Sequence, residues 1–304
     1  MPEASPIVPP RAILLATDLS ARCDRALDRA VALARQWQAR LVVLTVLDPS
    51  VRLLAEAAAG HVPERPDPLE AALRRLRADA DADDVDLVLR VEEGHPGEAL
   101  LATALEFDCG LIVTGVARNE TLGRRLLGTT VDWLVRRATL PVLVVQNRPR
   151  RPYATMVAAN DFSTSSRYAL RVGAAFFPEG RLTLFHAVDV PLLGLRDRSR
   201  EEAVAEARSA AMLEAREVLE EAGLPAPLRQ AADIVVEHGD PARLLRDHVR
   251  ERAPDLLLLA THGRGALFDI VLGSMARRIL ECAGTDVLLV RDPRASRAGR
   301  REEG

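Results

Sequence analysis

The feature that most constrains this chain is that it is written twice. Pro141 in "LPVLVV" has its counterpart 145 residues on, in the Asp286 of "TDVLLV". The same offset carries Gly128 to Gly273, Gly115 to Ala260 and Gly94 to Gly239. Near the start it is 143, taking Asp18 in "ILLATDLS" to Asp161 in "MVAANDFS". A spacing held over most of each half marks a duplicated domain, since solenoid repeats recur at roughly 20–50 residues. The 304 residues are enough for two full cores.

Each half opens with a short apolar run ("AILLATD"; "ATMVAAND") and an amphipathic helical pattern ("SARCDRALDRAVALARQWQA"; "STSSRYALRVGAAFF"). Ser20 and Ser163 stand where N-caps belong. A second apolar run follows ("RLVVLTVLD"; "RLTLFHAVD"), then a charged helical stretch whose length differs between halves. Next come "VDLVLRVEEG" and "ADIVVEHGD", a helix, "GLIVTG" and "DLLLLA", another helix, and the closing "PVLVVQN" and "DVLLVRD". Nearly all-apolar strands alternating with helices predict a parallel sheet covered on both faces. The expected fold is α/β: two tandem, doubly wound, Rossmann-like domains of five parallel strands each. The expected divisions are 1–148 and 149–292, joined through "NRPRRPY" as an exposed, stiff joint, with 293–304 as a disordered tail.

Composition narrows the chemistry. All 41 basic residues are Arg, which removes a P-loop lysine, a Schiff-base lysine and a lysine acylation base. The net charge of −3 gives no broad field for nucleic acid or membrane. Cys23, Cys109 and Cys282 are scattered and odd in number, which fits reduced thiols in a cytoplasmic protein. "MPEASPIVPP" lacks the order of a signal peptide, and no apolar run approaches a membrane span. The dispersed His residues argue against structural zinc, and "ADADADDVD" reads as a solvated acidic turn.

In an open parallel sheet, ligands lie beyond the carboxyl ends of the strands, where strand order reverses. Three pieces of each half converge there. Strand one ends at Asp18 or Asp161, and strand two around Thr45-Val46 or His186-Ala187. Strand four ends at a glycine loop, "GVARNETLGRRLLGT" or "ATHGRGALFDIVLGS". A helix opening after such a loop aims unpaired N–H groups and the positive end of its dipole at an anion. The same residues also read as a tight turn and a helix start with no ligand, and Asp18 and Asp161 as caps of the following helix. His186 and His262 read as hydrogen-bonded structural groups rather than general bases.

These residues resemble the universal stress protein family, here as a tandem two-domain member with an adenine-nucleotide alpha hydrolase-like sheet. The nucleotide-binding branch of that family carries G-x2-G-x9-G-[S/T]. The second half offers Ala260-Thr261-His262-Gly263, nine residues, then Gly273-Ser274. The first half offers Gly115-Val116-Ala117-Arg118, nine residues, then Gly128-Thr129. The likeness extends to the Asp of "ATDLS" and "ANDFS", to "HAVD", "HGDP" and "DVLLV", and covers nearly all of residues 10–292. Each half departs at one glycine. Ala260 adds a methyl group, tolerable unless a positive φ is needed there. Arg118 puts a cation where backbone would touch phosphate, either plugging the pocket or gripping a phosphate from the side.

By this resemblance the second half is the expected intact site and the first the altered one. Asp161 would lie near the ribose or adenine and Ala187 would line the adenine pocket. Gly263, Gly273 and Ser274, with the N–H of Met275, would hold the phosphates. Asp18 and Val46 would be the first-half counterparts. The ligand implied is ATP or another adenine nucleotide, with any Mg²⁺ arriving on its phosphates. The role implied is a stress sensor or regulator, since no constellation here supports fast hydrolysis. The halves would pair through their final strands as an internal pseudo-dimer, with further homodimerisation open. Two alternatives stay open: an interaction module that binds no nucleotide, and an enzyme of the ATP-pyrophosphatase type. The second would want an SGGxDS loop, whereas "ATDLSARC" and "AANDFSTSS" contain no glycine.

Overall fold

A computed structural model describes residues 6–20, 23–47, 73–74, 76–78, 81–116, 120–121, 124–125, 128–190, 199–261, 274–282 and 284–294. The first half contributes strands β1 (Ala12–Ala16), β2 (Arg40–Leu47), β3 (Leu87–Glu93), β4 (Leu111–Gly115) and β7 (Val142–Val145). A two-rung hairpin, β5 (Glu120–Thr121) and β6 (Arg124–Arg125), lies in the loop after β4. The second half contributes β8 (Thr155–Ala159), β9 (Arg181–Val188), β10 (Asp233–His238), β11 (Leu256–Ala260) and β12 (Asp286–Val290). The helices are α1 (Asp24–Trp37), α2 (Pro96–Glu106), α3 (Thr129–Arg137), α4 (Thr164–Phe176), α5 (Arg200–Glu221), α6 (Ala226–Gln230), α7 (Pro241–Arg252) and α8 (Ser274–Cys282).

The ten long strands form one sheet in the order β10-β9-β8-β11-β12-β7-β4-β1-β2-β3. Within each half every pairing is parallel, and the order reverses beside the first strand, as in doubly wound folds. At the centre β12 pairs antiparallel with β7, setting Val287 opposite Val144 and Leu289 opposite Val142.

The apolar runs are explained by burial on both sides. Ile13, Leu14 and Leu15 are all fully buried. Ile13 and Leu15 pack in a layer with α1, α4 and α5. Leu14 belongs to the opposite layer, with α2, α3, α7 and α8. Both layers run unbroken through the two halves. Each such side chain contributes about 1.5–3 kcal/mol by leaving water.

Two readings are corrected here. Ser20 does not cap α1: the N-cap is Cys23, and Ser20 instead gives its hydroxyl to Asp18 Oδ1 at 2.6 Å. Ser163 does cap α4, accepting from the Ser166 N–H. The joint is exposed only as far as Pro152, because Tyr153 is buried and donates to Asp286 Oδ2 at 2.6 Å. The tail reading falls from residue 295 onward outside the described residues.

The described part of the acidic stretch pairs with arginines, Asp84 with Arg35 at 2.6 Å and Asp86 with Arg40 at 2.7 Å. Such exposed pairs contribute little to stability. Among the described residues no cluster of His, Cys, Asp or Glu is fit to hold a metal ion. None of the helices among them is long and apolar enough to cross a membrane.

Candidate functional site

The two halves build the same turn where strand one ends. In the first, Asp18 Oδ1 accepts from the Ser20 N–H at 2.9 Å, the Ser20 hydroxyl at 2.6 Å and the Cys23 thiol at 3.2 Å. In the second, Asp161 Oδ1 accepts from the Ser163 N–H at 3.1 Å and its hydroxyl at 2.6 Å. These are Asx-turns, in which a short side chain mimics a backbone turn. Each forces the next residue into left-handed space, Leu19 at φ 57° and Phe162 at φ 62°. Non-glycine residues hold that conformation only where the surroundings over-determine it, and such strain gathers at functional sites.

The fixed turn orients the carboxylate. Burial pushes Asp18 up, but the hydroxyl and N–H of Ser20 and the Cys23 thiol outweigh it and hold the carboxyl below its ordinary value. Asp18 is therefore anionic at neutral pH. All its hydrogen bonds fall on Oδ1, which leaves Oδ2 without a partner among the described residues. Burial, with the Asp18 charge beside it, pushes the Cys23 thiol up, so this cysteine is a hydrogen-bond donor rather than a nucleophile.

A cavity of about 260 Å³ opens at the carboxyl ends of β1, β2 and β4. Asp18, Val46, Gly115, Gly128 and Thr129 all line it, so the first-half residues singled out by sequence converge, save Arg118. Arg118 lies outside the described residues. Ala16, Leu44, Val46 and Leu100 give the cavity an apolar floor on the α2–α3 side of the sheet. Opposite stands the start of α3, where Gly128 is the N-cap and makes no side-chain capping bond. Thr129, Thr130 and Val131 follow it along the cavity wall. Their N–H groups belong to the first turn, which has no intrahelical acceptors, and they carry the positive end of the helix dipole. By contrast α4, α5 and α7 are each capped by a side chain, from Ser163, Ser199 and Asp240.

Other elements hold this geometry in place. Gly94 and Gly239 sit at φ 115° and 139°, a region that only glycine enters without strain. Each turns the chain so that Pro96 or Pro241 starts its helix. Pro96 itself lines the cavity. Sequence reasoning missed Pro96, Thr17, Cys23, Thr114 and Thr130. The "GHP" and "GDP" turns offered a signal for Pro96. Nothing local marked the others.

In the second half Ala187 lies on β9, half-buried, on the same side of the sheet as Val46. His186 points the other way, stacks on Phe162 at 4.0 Å between ring centroids and bonds the Asn160 carbonyl through Nδ1 at 2.7 Å. That is a structural histidine. Ala260 closes β11 in register with Val290 and is not among the positive-φ residues, so its methyl group brings no backbone strain. Ser274 and Met275 open α8, as Thr129 opens α3. His262, Gly263 and Gly273 lie outside the described residues.

The sequence profile described as the Universal stress protein family matches residues 10–146 and 152–291. No curated protein is a significant match. Among solved structures, a universal stress protein from Archaeoglobus fulgidus has a TM-score of 0.67 at 16% identity, covering 92% of this chain and 98% of that one. A functionally unknown protein from Pseudomonas aeruginosa has a TM-score of 0.66 at 18% identity, covering 97% of this chain and 98% of its own. At these identities the likeness establishes the fold.

Proposed function

The chain belongs to the universal stress protein family, and on that premise we propose that it binds ATP or a related adenine nucleotide and acts as a sensor or regulator. The observation that carries this reading is the first-half cavity, where an apolar floor, an anionic Asp18 and the uncapped start of α3 meet. These are the three complements an adenine nucleotide needs. Apolar Ala16, Leu44 and Val46 suit a base, Asp18 Oδ2 would accept from a ribose hydroxyl, and the first-turn N–H groups suit phosphate. Any Mg²⁺ would come with the phosphates.

The second half keeps the motif glycine that the first replaces with Arg118, and it starts α8 with Ser274. It is the expected tighter site of the two. The role proposed is binding rather than rapid turnover: the chain has no lysine, and among the described residues Asp18 is the only carboxylate lining the cavity at the start of α3.

The test begins with the purified protein, denatured and extracted, and any released nucleotide identified by mass. ATP, ADP or AMP at near-stoichiometric yield is the expected result. Calorimetric titration with ATP should then give an affinity that falls tenfold or more in Gly263→Val or Ser274→Ala. Failure to recover nucleotide, together with no binding of ATP at millimolar concentration, would overturn the reading in favour of an interaction module.

A further inference from the structure

A second cavity, of about 860 Å³, lies where the two halves meet, and no part of it belongs to the strand-end sites. Six arginines line it: Arg25 and Arg29 from α1, Arg148, Arg150 and Arg151 from the joint, and Arg250 from α7. Only two carboxylates, Asp255 and Asp286, stand among them.

Both carboxylates are already committed. Asp286 accepts from the N–H groups of Gln146 at 2.8 Å and Asn147 at 2.9 Å, and from the Tyr153 hydroxyl at 2.6 Å. Asp255 Oδ2 accepts from the N–H groups of Ala154 at 3.0 Å and Thr155 at 2.9 Å, and from the Thr155 hydroxyl at 2.9 Å. The arginines are only partly paired: Arg151 stands 3.4 Å from Asp255 Oδ1, and Arg29 donates from Nη1 to the Arg151 carbonyl at 3.1 Å. Arg29 is buried, stands 3.5 Å from Asp286, and its Nε has no hydrogen-bond acceptor. Among the described residues Arg25 bonds the carbonyl of Gln146, at 2.8 Å, and neither it nor Arg150 has a carboxylate partner. Arg148 and Arg250 pair with Asp28 and Asp247, neither of which lines the cavity.

A concentration of guanidinium groups in a cleft focuses positive potential, and a buried donor without an acceptor is costly. Guanidinium forks match tetrahedral oxyanions, taking two oxygens at once. We propose that this junction is a binding site for a small anion carrying several phosphate groups. The volume falls within the ~300–1,000 Å³ of small-molecule sites. The shape is a cavity rather than a stripe, and the chain's net charge of −3 offers no extended field for a long polyanion. A ligand here touches α1 of the first half, the joint, and α7 of the second. It would brace the two halves against each other and raise the melting temperature by mass action.

The probe is inorganic tripolyphosphate, titrated calorimetrically into the full chain. Binding is expected, weakening as salt is raised, with a rise in melting temperature. The double variant Arg148→Gln/Arg150→Gln changes exposed side chains of the joint, so the fold is not at stake. It should lose about tenfold or more in affinity, the scale of one charge-assisted hydrogen bond. Asp18→Asn with Ser274→Ala, aimed at the strand-end sites, should leave tripolyphosphate binding unchanged. In that background, equal affinity for tripolyphosphate and ATP assigns the site to free oligophosphate, and tighter ATP assigns it to phosphates borne on a nucleoside. The proposal is overturned if 1 mM tripolyphosphate produces neither heat nor thermal shift, if the arginine variant binds normally, or if only a DNA duplex binds. Loss of binding in the strand-end variant alone would equally overturn it.

Discussion

Where the first half leads into its last strand with Pro141, the second starts its own with Asp286, and a cluster of polar bonds at the seam follows from that difference. Pro141 has no N–H and no side-chain acceptor to offer. Asp286 is buried and gathers Gln146, Asn147, Tyr153 and Arg29, with the Arg29 guanidinium 3.9 Å above the Tyr153 ring. The positions of α4 that correspond to Arg25 and Arg29 hold Tyr168 and Val172. One end of the seam thus gathers its bonds on a buried carboxylate, while at the other Arg291 donates to the Arg136 carbonyl at 2.8 Å. Duplication supplied two equal ends, and divergence put a carboxylate at one and a guanidinium at the other.

Packing pairs diverged in the same compensated way. Gly173 on α4 lies so close to Leu258 that an added Cβ would meet its Cδ1 at 2.2 Å. The corresponding first-half pair is Ala30 and Val113, with the larger residue on the helix and the smaller on the strand. Gly97 on α2 likewise makes room for Trp133, 2.2 Å from an added Cβ. Its counterparts are Ala242 and Arg278, and there Arg278 pairs with Asp240 at 3.2 Å instead.

The sharpest way to break this comparison is Asp286→Ala, which strands Arg29 as a buried, uncompensated charge. A loss of about 3–5 kcal/mol is expected in urea unfolding, against about 1 kcal/mol or less for Pro141→Ala. Next, Gly173→Ala should cost about 1–3 kcal/mol by overpacking. Adding Leu258→Val copies the first-half pair and should recover most of that loss; a double variant no better than the single one would show that the two positions do not compensate. A smaller effect is expected at the caps. Ser163→Ala should cost about 1 kcal/mol because Ser163 caps α4, while Ser20→Ala should cost less because Ser20 caps nothing.

The smallest effect concerns acid. Burial pushes Asp255 up, but the Thr155 hydroxyl and the N–H groups of Ala154 and Thr155 outweigh it, with Arg151 adding to the depression. A depressed carboxyl stabilises the fold above the unfolded value of about 3.9 and loses that contribution as pH falls through its lower folded value. The counterpart of Asp255 is Gly110, which has no carboxyl. Asp255→Asn should therefore flatten the acid limb of the stability profile. An unchanged limb would assign acid sensitivity elsewhere, for instance to Asp18.

The inner strands were legible because each is largely an apolar run, and strands buried on both faces leave no other pattern; the edge strands β3 and β10 are shorter apolar stretches that run into Glu92 and Glu237. Their ends were legible to within a few residues, since polar residues resume where the helices stop covering the sheet. The start of α1 was misread because a serine before a helix suggests a cap, while a carboxylate two residues earlier captures its hydroxyl. Tyr153 was misread because a linker composition surrounds a residue whose partner lies 133 positions away. The strand-end cavity was legible in outline, as Asp18, Val46, Gly115, Gly128 and Thr129 sit at strand ends whose convergence follows from topology. The arginine cavity was not legible. Its lining comes from four separate segments, and only the seam brings them together.

That seam has a further consequence for how the molecule can be read by others. Because β12 runs against β7, the strands of one half end where those of the other begin. On the proposed reading, the two strand-end sites open in opposite directions, like drawers of one chest, separated by a strand's length of roughly 17 Å or more. A partner resting against one drawer front has no view of the other. Whatever one compartment holds can be known at the far side only through the frame between them.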